Sequence, residues 1–575
     1  MRSVGFRSRA SLITEVRGLL ASFLLVALVY GRALGFGFAR VEEAQLAEAV
    51  GVVDLAGIWN GIFMNLARVG DGDGGLSGLW RPSVNVAYLL AGWIGQGDAW
   101  AFRLLALASL VVLGWSSRKM LGRSRGRDLV LMLVVLHPMM SAAVLDVLAL
   151  PSLLMAVCAV LAVTTTGRAP VFWTMAAMGA HEAAAIIPFI AMGFRVDAKG
   201  ERRGDERWTR PALGVLAWWL LLFVLETAGV IGRDAISIPT LEGVSHSAAQ
   251  VWFYAGRLLL PIAPVFARSA PEFLSPWTGL AWVGLLTVLW VSLRSKKPRI
   301  EPVGPGFAAG LCCVLLALLA AGGLVSVVPG YGEGRLALPI VGLAWMLASR
   351  HTSRVASWTL VPLFFVLTLS RVGVWKDPIG LWAESHRALP GDAMVSLEYG
   401  QRLIATNPTM AVGLMGQVLS ATGPSTSDAQ RYKAHIGAIQ AWFEIGNDKR
   451  ALPHLAAIAD PDSEQGDWLL VRRCVLETRF GVDEASYTPG TVLSPIARVC
   501  TEAARRFPRH ARLANAAGVE AAIRGDAERA RYFLQRAVEL APHNADYRRS
   551  FSLIPMNVMG WSSDEPLSPD PAAAP

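Results

Sequence analysis

The sequence predicts an all-α protein, with a polytopic helical membrane domain followed by an extracytoplasmic domain of short helical repeats. Three observations lead there. Hydrophobic residues fill 53% of the 575 positions and charged residues only 17%, against ~25% charged in an ordinary soluble chain. The apolar residues gather in runs near ~20 residues, the length that crosses a hydrocarbon core. The connections between the runs alternate between a basic kind and a kind almost without Lys, which is how a chain fixes its orientation in a bilayer.

The apolar runs lie near 13–36, 100–116, 128–146, 149–166, 170–194, 211–231, 275–293, 305–328, 335–349 and 355–370. The basic connections are the N-terminus (Arg2, Arg7, Arg9), Arg118–Arg127, Arg195–Arg210, Arg294–Arg299 and Arg350–Arg354. Positive charge stays in the cytoplasm. The other connections, carrying Glu42, Glu43, His181, Glu182 and Glu333, therefore face outward and mark the working surface. The first run, Leu12 to Phe38, exceeds the ~7–15 residues of a signal h-region and reads as a signal anchor. A net charge of +9 is explained by these loops, so nucleic acid is not an expected partner.

Three segments need more than a hydropathy reading. A charged pair within one lipid-facing helix is costly, so Ala180-His181-Glu182 divides 170–194 into two short helices meeting at the outer surface. As a full span, 82–96 would force Arg118–Arg127 outside, so it is expected as a juxtamembrane helix within an external loop, 39–99. Trp252–Pro264 is interrupted by Pro261 and Pro264 and is placed in the interface. The result is about 11 spans with the N-terminus inside.

Beyond the membrane domain (1–372), apolar residues become mostly Ala and Leu at helical spacing in a charged background, giving a helical repeat domain over 373–555. Its clearest unit is Arg512–Asn544, with Ala517-Gly518, Gly525-Asp526, Ala530, Ala537 and Pro542 at the small and turn positions of the 34-residue tetratricopeptide pattern. Degenerate copies run from Ile436 through Gly446-Asn447-Asp448 to Ala451, and from near Ser396. Such repeats offer a concave binding face for a protein partner. The end, 556–575, is Pro-, Ala- and acid-rich and is expected to be disordered. Cys158, Cys312 and Cys313 fall in membrane segments as packing residues, while Cys474 and Cys500 lie in the tail, where an oxidising compartment permits a disulfide.

The outward-facing residues admit two readings each. Glu42 and Glu43 are placed for general-base work or for a divalent cation, or with Glu48 they form the polar side of an interfacial helix, Val41–Met64, backed by Leu46, Val50, Val53 and Leu55. His137-Pro138, followed by Asp146, is a helix-end packing element or a ligand. Arg81, Arg257 and Arg335 either grip a phosphate or snorkel to headgroups. No spacing matches a dedicated zinc motif.

Taken in order, these elements resemble the transmembrane and tetratricopeptide-repeat O-mannosyltransferase family, within the C-type polyprenol-phosphate-sugar glycosyltransferases. The resemblance rests on Glu42-Glu43 after the first helix, then Trp80-Arg81-Pro82, then Leu136-His137-Pro138 through Leu153-Leu154. It continues with His181-Glu182 before Pro188, Glu333-Gly334-Arg335-Leu336-Ala337-Leu338-Pro339, and Arg371 with Trp375-Lys376-Asp377. It implies transfer of a sugar from a polyprenyl-phosphate-sugar donor to an acceptor, a protein hydroxyl, at the external face. Glu42 or Glu43 would be the catalytic base. Arg81, His137, His181, Glu182, Arg257, Glu333 and Arg335 would bind substrate, and a divalent cation is a candidate cofactor. The composition points to a bacterial inner membrane with the repeats in the periplasm. The chain departs from the family in having Glu for Asp in the acid pair, Leu150-Pro151-Ser152 for Arg-x-Asp, His181 for Lys, and Gly334 within the Glu-Arg element. The alternatives are an inactive membrane-anchored scaffold and a transporter. A transporter would carry paired charges near the midplane, where this sequence has none.

Overall fold

The structure is a computed structural model. It describes residues 9–39, 81–121, 126–193, 206–227, 254–259, 305–319, 331–348, 353–421, 428–447, 511–523, 526–542 and 545–552, together with isolated positions 43, 44, 46, 47, 50, 251, 261, 267, 268, 450, 454, 457, 500 and 504. The expected span at 275–293, the residue Cys474 and the tail 556–575 lie outside them. The regular structure is helical apart from a two-residue antiparallel pairing of β1 (Ala267–Arg268) with β2 (Tyr331–Gly332).

The chain divides into two compact units, Met1–Asp448 and Lys449–Pro575. The first opens with α1 (Arg9–Tyr30), then α2 (Pro82–Gly95), α3 (Ala99–Ser117), α4 (Arg127–Leu136), α5 (Met140–Leu145) and α6 (Leu150–Thr164). After these come α7 (Ala169–Met178), α8 (Ile187–Gly193), α9 (Glu206–Thr227), α10 (Pro305–Leu319), α11 (Ala337–Ala348) and α12 (Ser353–Val374). Proline occupies the first turn of α2, α6 and α7, where its missing N–H would have no intrahelical acceptor.

Among the described residues three helices are long and apolar enough to cross a membrane: Ile13–Gly35, Ala99–Ser117 and Val147–Thr164. A fourth arises if α12 is joined to the following helix across a 113° bend. Two of the other apolar segments are broken within the described residues. His137-Pro138 separates α4 from α5, and a Gly179-Ala180-His181 turn separates α7 from the short helices beyond it. Apolar faces remain exposed on α1 (Leu20, Phe23, Leu24, Leu28) and α9 (Leu216, Leu220, Phe223, Val224), the side chains expected on a lipid-facing surface.

Close backbone approach fixes the α10–α11 crossing. A Cβ on Gly310 would stand 2.6 Å from the Gly342 carbonyl oxygen and from the Met346 nitrogen, so only glycine lets these helices meet. At the opposite end of α3, Arg118 bonds Asp128 at 2.8 Å and Glu15 bonds Arg127 at 3.2 Å.

After α12 come α13 (Pro378–Ala388), α14 (Ala393–Leu403), α15 (Pro408–Ser420) and α16 (Asp428–Glu444). Their starts are written in the sequence. The side chains of Asp377, Asp392 and Asn407 accept from the backbone N–H of Ile379, Val395 and Met410, the N-cap arrangement. These helices belong to the same compact unit as the membrane helices, and Trp375, Leu381, Trp382, Val395 and Leu403 join one hydrophobic core with Phe364 and Val372 of α12. In the second unit, α17 (Ala511–Ile523) packs on α18 (Ala527–Leu540), followed by α19 (Ala545–Ser552). Asp526 caps α18 through Arg529 N–H. Buried Ala517, Ala530 and Ala537 allow close contact, and Gly518 lies against Leu534. Cys500 is disulfide-bonded, whereas Cys158, Cys312 and Cys313 are free.

Candidate functional site

Glu43 is fully buried, on the same face as Leu46, Ala47 and Val50, the i, i+3, i+4, i+7 stripe of a helix. The interfacial reading, with Glu43 on a solvated polar side, is thereby corrected. The carboxylate is inward because it has partners there. Oε2 accepts from Ala39 N–H at 2.6 Å and Oε1 from Val147 N–H at 2.7 Å. Two short charge-assisted bonds stabilise a buried anion that would otherwise be very costly. Glu43 thus ties the exit of the first helix to the turn before α6. Glu42 lies outside the described residues.

Arg103 supplies the neighbouring positive charge. It is fully buried within α3 and within electrostatic reach of Glu43. Its Nη1 donates to the Phe36 and Ala33 carbonyls and its Nη2 to Gly37 O at 2.5 Å. Ala33 O also accepts from Phe36 N–H, and all three carbonyls lie where the first helix ends, at the negative end of its dipole. A lone arginine in an apolar run was the sequence signal for this residue.

Around this pair several connections between helices converge. Tyr88 of α2 donates to Val147 O at 2.9 Å and lies within electrostatic reach of Asp146, Arg81 and Glu43. Asp146 is buried and accepts from Leu148 N–H at 3.0 Å. Half-buried Arg81 precedes Ser83, whose N–H and hydroxyl donate to Gly179 O and Ala176 O at 3.1 and 3.0 Å. Arg81-Pro82 is thereby held against the turn that carries His181, while Trp80 lies outside the described residues.

His137 takes another role. It is buried against Phe364, ring centroids 5.0 Å apart. Its Nδ1 accepts from Met139 N–H at 3.3 Å and its Nε2 faces Leu258 O at 3.1 Å. One nitrogen accepts and the other must donate, which fixes the neutral Nε2–H tautomer. Both nitrogens are satisfied by backbone, so His137 is a structural residue rather than a ligand-binding one. The Leu258 bond also brings half-buried Arg257 to this end of the bundle. Buried Arg371, not singled out by sequence as a site residue, donates Nε to Ser141 Oγ at 3.4 Å and lies within electrostatic reach of Tyr30 and His137.

His181 and Arg335 share a small half-open cavity of about 10 Å³, room for roughly one water molecule. Ser152, Met155, Ala183, Ile186, Ala317, Leu338 and Pro339 complete its wall. His181 Nδ1 accepts from Ala183 N–H at 3.1 Å, which leaves the proton on Nε2. Ser152 lies further along the segment whose Val147 holds Glu43, so one stretch of chain connects the cavity to the buried acid. Glu182 and Glu333 open short 3-10 turns beside His181 and Arg335, and their side chains lie outside the described residues. Among the described residues no group of three His, Cys, Asp or Glu side chains could hold a metal ion. Compared with known proteins, the chain matches no family model, no curated protein and no solved structure.

Proposed function

We propose that this protein is a membrane glycosyltransferase that moves a sugar from a polyprenyl-phosphate-sugar donor to an acceptor, a protein hydroxyl, at the external face. The cavity shared by His181 and Arg335 carries this reading. An imidazole N–H and a guanidinium, with Ser152 on a mostly apolar wall, suit the phosphate end of a prenyl phosphate, polar at one end and hydrocarbon at the other. The apolar outer faces of α1 and α9 favour a donor that arrives within the bilayer.

Glu42 is the preferred base, because both oxygens of Glu43 are engaged by backbone amides. Glu42 would take the proton from the acceptor hydroxyl as its oxygen attacks the anomeric carbon. The bond from that carbon to the phosphate oxygen breaks, and Arg335, Arg257 and His181 meet the charge left on the phosphate. About eleven spans with the N-terminus inside would place the helices after α12 outside, in the periplasm of a bacterial inner membrane. The α13–α16 hairpins and the α17–α18 pair would then be tetratricopeptide-like repeats that present the acceptor.

The second reading is a membrane-anchored scaffold. The structural use of Glu43 and His137 favours it, since both serve the fold without any chemistry. Binding of polyprenyl phosphate to the full chain in nanodiscs separates the two. For an enzyme, wild type binds polyprenyl phosphate and not polyprenol, and Arg335→Gln weakens binding by ~10–100-fold, the loss of one charge-assisted hydrogen bond. Equal binding of the phosphate and the alcohol would favour the scaffold.

A further inference from the structure

The hairpin after the last membrane helix grips the segment that leads into the acid pair. Trp382 of α13 is fully buried, and its indole Nε1 donates to Ala39 O at 3.0 Å. Arg402 of α14 donates Nη2 to Phe38 O at 3.3 Å. The N–H of that same Ala39 donates to Glu43 Oε2 at 2.6 Å, and Glu43 Oε1 accepts from Val147. A hydrogen-bonded line therefore runs from Arg402 through the Phe38–Ala39 peptide to the buried acid and on to the turn before α6, while Trp382 holds the carbonyl on the other side of Ala39. The hairpin touches the other half of the site too. Helix α14 packs on β1, and β1 pairs with β2 immediately before Glu333 and Arg335.

We infer that Trp382 and Arg402 are positioning residues for Glu42-Glu43, so that the α13–α14 hairpin is part of the site itself. The inference rests on the reading of that pair as the base-bearing segment. The geometry accounts for a shared core between membrane helices and hairpin: a base carried on a connection must be held to a small fraction of an ångström. A detached repeat module could not do so.

The test uses the full chain in nanodiscs and reads amide hydrogen exchange. Trp382→Phe keeps a ring in the core and removes only the N–H donor, and Arg402→Gln removes the second grip. Each is expected to speed exchange in the 36–47 peptide roughly tenfold, as the Ala39–Glu43 contact opens more often. Trp345→Phe is the matched control, because its Nε1 donates to Ser117 O at 2.9 Å in a different part of the unit, and it should leave 36–47 unchanged. Unaltered exchange at 36–47 in both variants overturns the inference, as does an equal acceleration by Trp345→Phe. In a sugar-transfer assay, kcat should fall in Arg402→Gln with the donor KM held, and Arg402→Lys should recover it. If exchange responds but wild type transfers no sugar, the glycosyltransferase reading fails and the hairpin's role in a catalytic site fails with it, leaving only a structural grip on Phe38 and Ala39. If wild type transfers sugar and exchange does not respond, the positioning alone fails.

Discussion

Replacing Glu43 tests whether a carboxylate in an apolar stripe is an architectural element. The side chain is fully buried and accepts two backbone N–H bonds, at 2.6 and 2.7 Å. Each such bond to a charged group contributes ~1.5–3 kcal/mol. Glu43→Gln keeps one acceptor and turns an NH2 toward the other amide, so it should cost ~1.5–3 kcal/mol. Glu43→Ala loses both and should cost ~3–6 kcal/mol, toward the lower end if water reaches the freed amides. At ~2 °C per kcal/mol, the lower end for large domains, Gln lowers Tm by ~3–6 °C and Ala by ~6–12 °C. Thermal unfolding of the detergent-solubilised protein, followed by tryptophan fluorescence, measures this directly. A Tm within about 1 °C of wild type for both variants would refute the latch, since that corresponds to well under 1 kcal/mol.

Three further outcomes follow from the packing and the ionisation. A Cβ on Gly18 would meet Arg118 Nη1 at 1.7 Å, whereas one on Gly310 would meet backbone at 2.6 Å. The guanidinium can swing away and a helix cannot, so Gly310→Ala should destabilise by ~1–3 kcal/mol and more than Gly18→Ala, as compared by thermal unfolding; the reverse order contradicts this. Burial holds the His386 imidazole, outside the membrane helices, below its ordinary value, with Nδ1 enclosed and the ring 5.7 Å from Tyr399. A lowered value means that folding favours the neutral ring. Stability is therefore full above the usual ~6.5 and declines as pH falls below it, with a shallower decline in His386→Phe across a pH series of melts. Finally, alkylating the denatured but unreduced chain should label Cys158, Cys312 and Cys313 and spare Cys500; labelled Cys500 would contradict a folded second unit in an oxidising compartment.

The sequence carried the parts of this structure that depend on local chemistry. Asp377-Pro378, Asp392 and Asn407-Pro408 announce helix starts, and Ala180-His181-Glu182 announces a break, because neither a cap nor a mid-helix charge needs tertiary context. The helix over 82–96 followed from its short apolar run bounded by Gly95 and Gly97. What was not legible depended on backbone partners from elsewhere in the chain. Glu43 read as a solvated acid because the amides that hold it, at Ala39 and Val147, carry no side-chain signature. His137 stayed open between helix-end packing and a ligand role because its bond to Leu258 O crosses from a remote connection. The spans were harder to count than to locate, since α7 is apolar but only 10 residues long and ends at a turn. Arg103 was passed over although a buried arginine in an apolar helix is itself a signal; its partners are the carbonyls at the end of the first helix.

Glycopeptide mass spectrometry of envelope proteins tests the central claim most directly, using a deletion strain complemented with wild type or Glu42→Gln at equal membrane levels. Glu42 is the position to change, because substitution of Glu43 also loosens the fold. Sugar transfer with a carboxylate base predicts a hexose-sized mass that disappears in the deletion and returns with wild type alone. An unchanged glycan profile in the deletion, or full rescue by Glu42→Gln, would contradict it.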